Sequence, residues 1–250
     1  MTHSHLDIAT VPVALLAGGL ATRLRPITEK IPKALVDLAG RPFIDWQLDL
    51  LAENGIRHVV MCLGYLGEMV RDHCGDGSAR GMRLEYSFDG EKLVGTGGAL
   101  LRACKLLGND AFWVMYGDSY MDIAYRDVLA AFSRSDALGL MTVLKNGNQW
   151  DTSNVIFRDG QLVRYDKRNR TPEMQYIDYG VGLLRASVLD RVPADRPFEL
   201  AELYTALVEE RRMIGYEVTQ RFYEIGTPAS LEEARVYLQQ RIGVPRAARP

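Results

Sequence analysis

This 250-residue chain has few cysteines, no long apolar run and no surplus of charge. Cys62, Cys74 and Cys104 are odd in number and lack a C-x-x-C pair, which argues against a disulfide framework or a cysteine zinc site. Reduced, mostly buried thiols in a cytoplasmic setting fit that usage. No segment approaches the roughly 18 consecutive apolar residues of a membrane span. The apolar stretch 11–21 has no Lys or Arg before it, unlike a signal peptide. With 30 Lys and Arg against 32 Asp and Glu, the net charge of -2 gives no electrostatic case for nucleic acid or an anionic membrane. Two familiar glycine signatures are also missing, the G-x-G-x-x-G of dinucleotide folds and the Gly-Lys-Ser/Thr of P-loops. Internal repeats, low-complexity tracts and linkers are absent as well, so one domain is expected.

What remains is an ordinary globular composition, 47% hydrophobic and 25% charged, in which strand-like and helical runs alternate. That alternation predicts an α/β fold with a mostly parallel sheet flanked by helices. Strands are expected at Val13 to Leu16, His58 to Leu63, Arg83 to Ser87, Phe112 to Tyr116, Leu138 to Leu144 and Tyr176 to Leu184. Asn154 to Arg158 and Leu162 to Asp166 read as a hairpin turned at Asp159-Gly160, and a last strand covers Glu217 to Glu224. Helices are expected at Phe43 to Glu53, Leu66 to His73, Gly98 to Leu107, Ala124 to Arg134, Ser187 to Arg191 and Glu199 to Arg211. The final helix, Ser230 to Arg241, carries a capping box of Ser230 and Glu233. Residues 1–10 and 244–250 are expected to be flexible. The amphipathic helices are compatible with a homo-oligomer as well as with a single chain.

Chemistry first shows in Leu15 to Pro26, where an apolar strand runs into Gly18 and Gly19 and then Arg23 and Arg25. Glycines let backbone N–H groups approach an anion, and arginines add fixed positive charge, so the turn suits phosphates. Asp118 follows the strand Phe112 to Tyr116, at the carboxyl end where open α/β sheets bind ligands. A carboxylate there is a natural Mg²⁺ ligand, which calls for a second acidic group. Asp122, four residues on, is one candidate. Asp89 or Glu91 offers two acceptors to the paired donors of a guanine edge.

Taken together, A-G-G-x-x-T-R-L-R-P from Ala17, P-K-A-L from Pro32 and G-R-P-F from Gly40 resemble the opening of the sugar-1-phosphate nucleotidyltransferases. Glu91, Leu93 and Gly95 to Ala99 resemble that family's E-x-L-G-T-G-G-A stretch, with Val94 as an extra residue. The overall pattern looks most like the heptose and mannose 1-phosphate guanylyltransferases, with N-acetylmuramate 1-phosphate uridylyltransferases next, in a minimal catalytic form.

The resemblance implies a Rossmann-like sheet of the nucleotide-diphospho-sugar transferase type and transfer of a nucleotidyl group from a nucleoside triphosphate to a sugar 1-phosphate. It implies that Leu16, Ala17, Gly18, Gly19, Thr22, Arg23, Asp89, Gly95 and Thr96 hold the nucleotide, and that Gly97, Lys167, Asp178, Tyr179 and Gly180 hold the sugar phosphate. Arg23, Lys33 and Lys167 become the catalytic cations, with Asp118 and Glu224 on Mg²⁺. Departures are Ala34 for a proline, Asp166 for a glutamate, Glu224 for an aspartate, and Trp150 to Asn154 where Tyr-Gly is common. Two other readings are a glycosyltransferase using Asp118 with Asp122, and a nucleotide-sensing regulator without turnover.

Overall fold

Val13, Ala14 and Leu15 carry no polar side chain on either face, so their strand is suited only to the middle of a sheet covered on both sides. The computed structural model, which describes residues 6–90, 92–108 and 110–242, places it there. Strand β1 (Val13–Ala17) leads through short 3₁₀ turns into the ribbon β2 (Asp37–Leu38) and β3 (Arg41–Pro42) and then helix α1 (Phe43–Glu53). Next come β4 (His58–Leu63), α2 (Gly67–Cys74), β5 (Arg83–Phe88), α3 (Gly95–Leu107), β6 (Ala111–Tyr116), β7 (Ser119–Tyr120) and α4 (Tyr125–Ser133). The second half holds β8 (Gly139–Lys145), β9 (Val155–Arg158), β10 (Gln161–Tyr165), β11 (Tyr176–Arg185), α5 (Leu200–Glu209), β12 (Met213–Val218), β13 (Tyr223–Glu224) and α6 (Pro228–Gln239).

The nine-stranded main sheet is mixed. Strands β5, β4, β1 and β6 form the expected parallel core. Beyond β6 the direction reverses, because β11 pairs antiparallel with both β6 and β8. The hairpin β9–β10 turns at Asp159 and Gly160, both at positive φ, as the Asp-Gly pair requires. Strand alternation divides the core between two faces. Val13, Leu15, Val59 and Met61 pack with Val128 and Phe132 of α4, whereas Ala14, Val60 and Val114 pack with Leu100 of α3 and Leu203 of α5. A smaller cluster of Leu38, Phe43, Ile225, Leu231 and Leu238 clamps α6 to α1, each such side chain contributing about 1.5–3 kcal/mol on burial.

Two expectations near the C-terminus are corrected. The stretch Glu217 to Glu224 is two strands in different sheets, with β12 along β8 and β13 along β7. The last helix starts at Pro228, and its reciprocal cap joins Thr227 to Ser230. Ser230 is thus the third residue of the helix, and Glu233 is paired with Arg221. At the other end, Leu6 and Ile8 are buried in the main core, while residues 1–5 and 243–250 lie outside the described residues. No described helix is long and apolar enough to cross a membrane.

Candidate active site

The carboxyl ends of β1, β4 and β6 open onto a cleft of about 560 Å³, a size suited to a nucleotide. Leu16, Ala17, Gly18, Gly19, Thr22, Arg23, Lys33, Asp89, Gly95, Thr96 and Asp118 all line it. The two glycines of the turn do different work. A Cβ on Gly18 would lie 3.1 Å from the Gly64 nitrogen and 3.2 Å from Asp89 Oδ2, so this glycine allows the β1 and β4 loops to touch. A Cβ on Gly19 would meet no protein atom within 4 Å, which leaves its backbone open to a ligand. The loop beyond is fixed by Thr28, whose hydroxyl donates to the Ala21 carbonyl at 2.8 Å. Arg23 has no ion pair among the described residues, and one guanidinium nitrogen would lie 3.1 Å from a Cβ placed on Gly226.

Asp118 and Glu224 are brought together by a two-residue antiparallel ladder. Ser119 pairs with Glu224, and the Ile225 N–H donates to the Asp118 carbonyl at 2.9 Å. Burial pushes the Glu224 carboxyl above the usual range, and the nearby Asp118 charge pushes it further, against the pull of Lys33 and Arg23. Lys33 Nζ donates to Asp118 Oδ2 at 2.8 Å. Two carboxylates beside Lys33 and Arg23 could hold a divalent cation whose remaining ligands are phosphate oxygens and water. Among the described residues no group of three acidic, histidine or cysteine side chains gathers as a metal cage. Asp122 is taken: it pairs with the buried Arg241, whose guanidinium lies over Tyr237. That pairing commits Asp122 elsewhere, so the alternative in which it shares the metal site with Asp118 loses support, as does the glycosyltransferase reading that needs it as a second carboxylate.

On the cleft's far wall, burial raises the Asp89 carboxyl above its ordinary range, with Arg102 opposing. Glu91 lies outside the described residues. Cys62 shares that wall, its thiol pushed up to about 12 by burial and by Asp89, which makes it inert as a nucleophile.

A second cavity holds Lys167, Arg168 and Asn169 and shares Thr96, Tyr116 and Glu199 with the first. Lys167 Nζ donates to the Tyr116 hydroxyl at 3.2 Å and lies 3.6 Å from Asp178 Oδ2. Asp166 lines this cavity and also shapes the loop. Its carboxylate accepts from the N–H groups of Asn169 and Arg168 and is pulled down to about 2.

Three expected sugar contacts stand behind this wall. The Asp178 side chain is 3% exposed and accepts from the Gly180 N–H and the Tyr165 hydroxyl. Tyr179 points into the core against Phe222, so its side chain is excluded as a sugar contact. Gly180, at φ +95°, leaves room for the Tyr116 ring 3.0 Å from where a Cβ would sit. The β11 bulge between Asp178 and Gly182 hides this facing from a simple count of two.

Gly97 is likewise corrected. The N–H groups of Gly97 and Gly98 donate to the Phe198 carbonyl at 2.9 and 3.1 Å, so the start of α3 is capped by the chain itself. The adjoining Glu199 carboxylate accepts from the Thr96 hydroxyl at 2.7 Å and also caps α5. Sequence reading missed Glu199, which arrives from far along the chain, and Tyr116. The latter carried a signal, since it lies two residues before Asp118 on the same strand end.

A family model described as nucleotidyl transferase matches residues 13–241. The chain is 31% identical over 226 residues to an N-acetylmuramate alpha-1-phosphate uridylyltransferase of Neisseria meningitidis, covering 88% of this chain and 95% of that one. It is 28% identical over 232 residues to the catalytic subunit beta of a Xenopus tropicalis mannose-1-phosphate guanylyltransferase, covering 90% of this chain but only 64% of that relative's length. A crystal structure of a putative glucose-1-phosphate thymidylyltransferase from Bacillus anthracis, in complex with a sucrose, superposes with a TM-score of 0.83 at 21% identity, over 94% and 97% of the two chains. With the glycine turn, the paired carboxylates and the adjoining cavities in the places the motifs indicated, the chain belongs to the nucleotidyl transferase family, and its relatives are sugar-1-phosphate nucleotidyltransferases.

Proposed function

We propose that the protein transfers a nucleotidyl group from a nucleoside triphosphate, GTP first, to a hexose or heptose 1-phosphate of the mannose type, releasing pyrophosphate. The observation that carries this reading is the meeting of two cavities, one with Lys33 and Asp118 and the other with Lys167, at a shared wall. Two phosphate-bearing substrates can then lie end to end. An oxygen of the sugar phosphate attacks the α-phosphorus in line, forming one P–O bond as the bond to the β-phosphate oxygen breaks. Such transfers demand little covalent chemistry from the protein, so positioning and charge neutralisation carry the rate.

In this reading Arg23 and the open backbone at Gly19 take the β- and γ-phosphates, Lys33 neutralises charge near the α-phosphate, and Lys167 holds the attacking phosphate. Asp118 and Glu224 hold a divalent cation, Mg²⁺ in this proposal, which screens the phosphates when bound. Asp89 accepts the two donors of the guanine edge. A second reading, UTP with an N-acetylmuramate-type sugar 1-phosphate, draws on the uridylyltransferase relative that this chain matches along 95% of its length.

Pyrophosphate release measured over four triphosphates and a panel of sugar 1-phosphates tests both. GTP with mannose or heptose 1-phosphate should dominate, and preference for UTP with the muramate sugar selects the second reading. Arg23→Ala and Asp118→Ala should remain folded and lose most release. Near-parental activity in either sinks the assignment of that residue, and triphosphate binding without release for any pair favours a regulator.

A further inference from the structure

We propose that Tyr116 is a sugar-phosphate-binding residue, working with Lys167 as a two-donor clamp. This rests on the two-cavity reading above and adds a residue to it. Tyr116 closes β6 and lines both cavities, so with Thr96 and Glu199 it stands on the boundary that a sugar phosphate reaching toward the nucleotide would meet. Its oxygen is an acceptor, because Lys167 Nζ donates to it at 3.2 Å. The phenol proton takes no acceptor among the described residues. A phenol keeps that proton at neutral pH and can donate it to a phosphate oxygen.

The clamp is held from behind. Lys167 Nζ lies 5.0 Å from the Tyr116 ring centre, and Gly180 leaves the space against which that ring rests. Asp178, buried beneath, lies 3.6 Å from the same ammonium. Lys167 therefore brings charge, and Tyr116 brings a directed donor on a stiff ring at the end of a buried strand. An ammonium has three rotatable donors and fixes no direction by itself, whereas a phenol on a packed ring does.

Tyr116→Phe keeps the ring and removes the donor. A hydrogen bond to a charged phosphate implies a rise of roughly tenfold to hundredfold in KM for the sugar 1-phosphate. KM for the triphosphate and the melting temperature should stay near those of the parent. Equal effects on both substrates, or none on either, overturn the proposal. Calorimetric titration with mannose 1-phosphate and glucose 1-phosphate gives a readout without turnover. Weaker binding by Tyr116→Phe supports the clamp, and equal binding overturns it while leaving the wider reading intact. A parent protein that binds neither sugar 1-phosphate overturns the clamp together with the mannose-type reading.

Discussion

Replacing Lys167 with Met should remove activity and stability together, and a second substitution should return only stability. Asp178 is nearly enclosed, with its side chain 3% exposed, and Lys167 is the cation paired with it, at 3.6 Å. Losing that cation leaves a buried carboxylate supported by only the Gly180 N–H at 3.1 Å and the Tyr165 hydroxyl at 3.4 Å. Breaking a fully buried ion pair costs several kcal/mol. Here Lys167 is itself 37% exposed, so solvent screening lowers the expected cost to about 1–3 kcal/mol. For a chain of this size each kcal/mol shifts Tm by roughly 2–4 °C, which gives a fall of about 2–12 °C.

Adding Asp178→Asn removes the orphaned charge and keeps an oxygen for the Gly180 N–H. The double variant should regain most of the lost Tm while remaining inactive, because the phosphate has lost its cation. Scanning calorimetry and pyrophosphate release on the four proteins of the cycle read the two effects separately. A Lys167→Met protein as stable as the parent, or a double variant no more stable than the single, would refute the view of Asp178 as a buried counter-charge.

Gly64→Ala should cost about 1–3 kcal/mol, because its Cβ would lie 2.5 Å from the Gly18 carbonyl oxygen and backbone must give way. Gly19→Ala meets no protein atom within 4 Å and should leave Tm unchanged while weakening triphosphate binding, and a normal Kd by titration would remove Gly19 from the phosphate cradle. The raised Asp89 carboxyl means that the native state holds its proton more tightly than the unfolded chain does, so Asp89 lowers stability above its native pKa and this cost fades as pH falls. Asp89→Asn should therefore raise Tm at pH 7.5 more than at pH 4.5, and the parent's kcat/KM for GTP should fall as acid neutralises the carboxylate; identical Tm gains at both pH values would contradict the assignment. Glu224→Gln should raise the cation-free Tm by removing a charge that burial, and then the repulsion from Asp118, disfavours. MgCl₂ at about ten times Kd should stabilise the parent by ~1.4 kcal/mol, about 3–6 °C, but not the variant; an unchanged cation response in the variant would move the ligand elsewhere.

Local signals were strong where one neighbourhood decides the outcome. The strand His58–Leu63 and helix Phe43–Glu53 stand at their expected limits, set by the Asn54-Gly55 turn and the change from helical to strand periodicity. Arg23, Lys33, Asp89 and Asp118 could be placed because each lies in or beside a recognisable motif. What escaped depended on contacts far apart in sequence. The division of β12 from β13 follows from different partners, β8 and β7, although the run 217–224 is continuous. The commitment of the Gly97 N–H to Phe198, and the arrival of Glu199 at Thr96, depend on how a distant loop crosses the start of α3. Asp178, Tyr179 and Gly180 are legible as a group, but the β11 bulge and the burial of that strand, which set all three behind the cavity wall, are not.

In the proposed metal site, the short pairing of β7 with β13 would make cation binding depend on both halves of the fold. Asp118 can be in place once β6 has joined the sheet, but Glu224 reaches it only after β13 has docked, and β13 is held by the Ile225 and Leu231 cluster that seats α6. A polypeptide emerging from the ribosome could thus build most of the nucleotide cleft before it could retain the ion. The loss of α6 would be felt first as a loss of metal affinity, with the parallel core still standing.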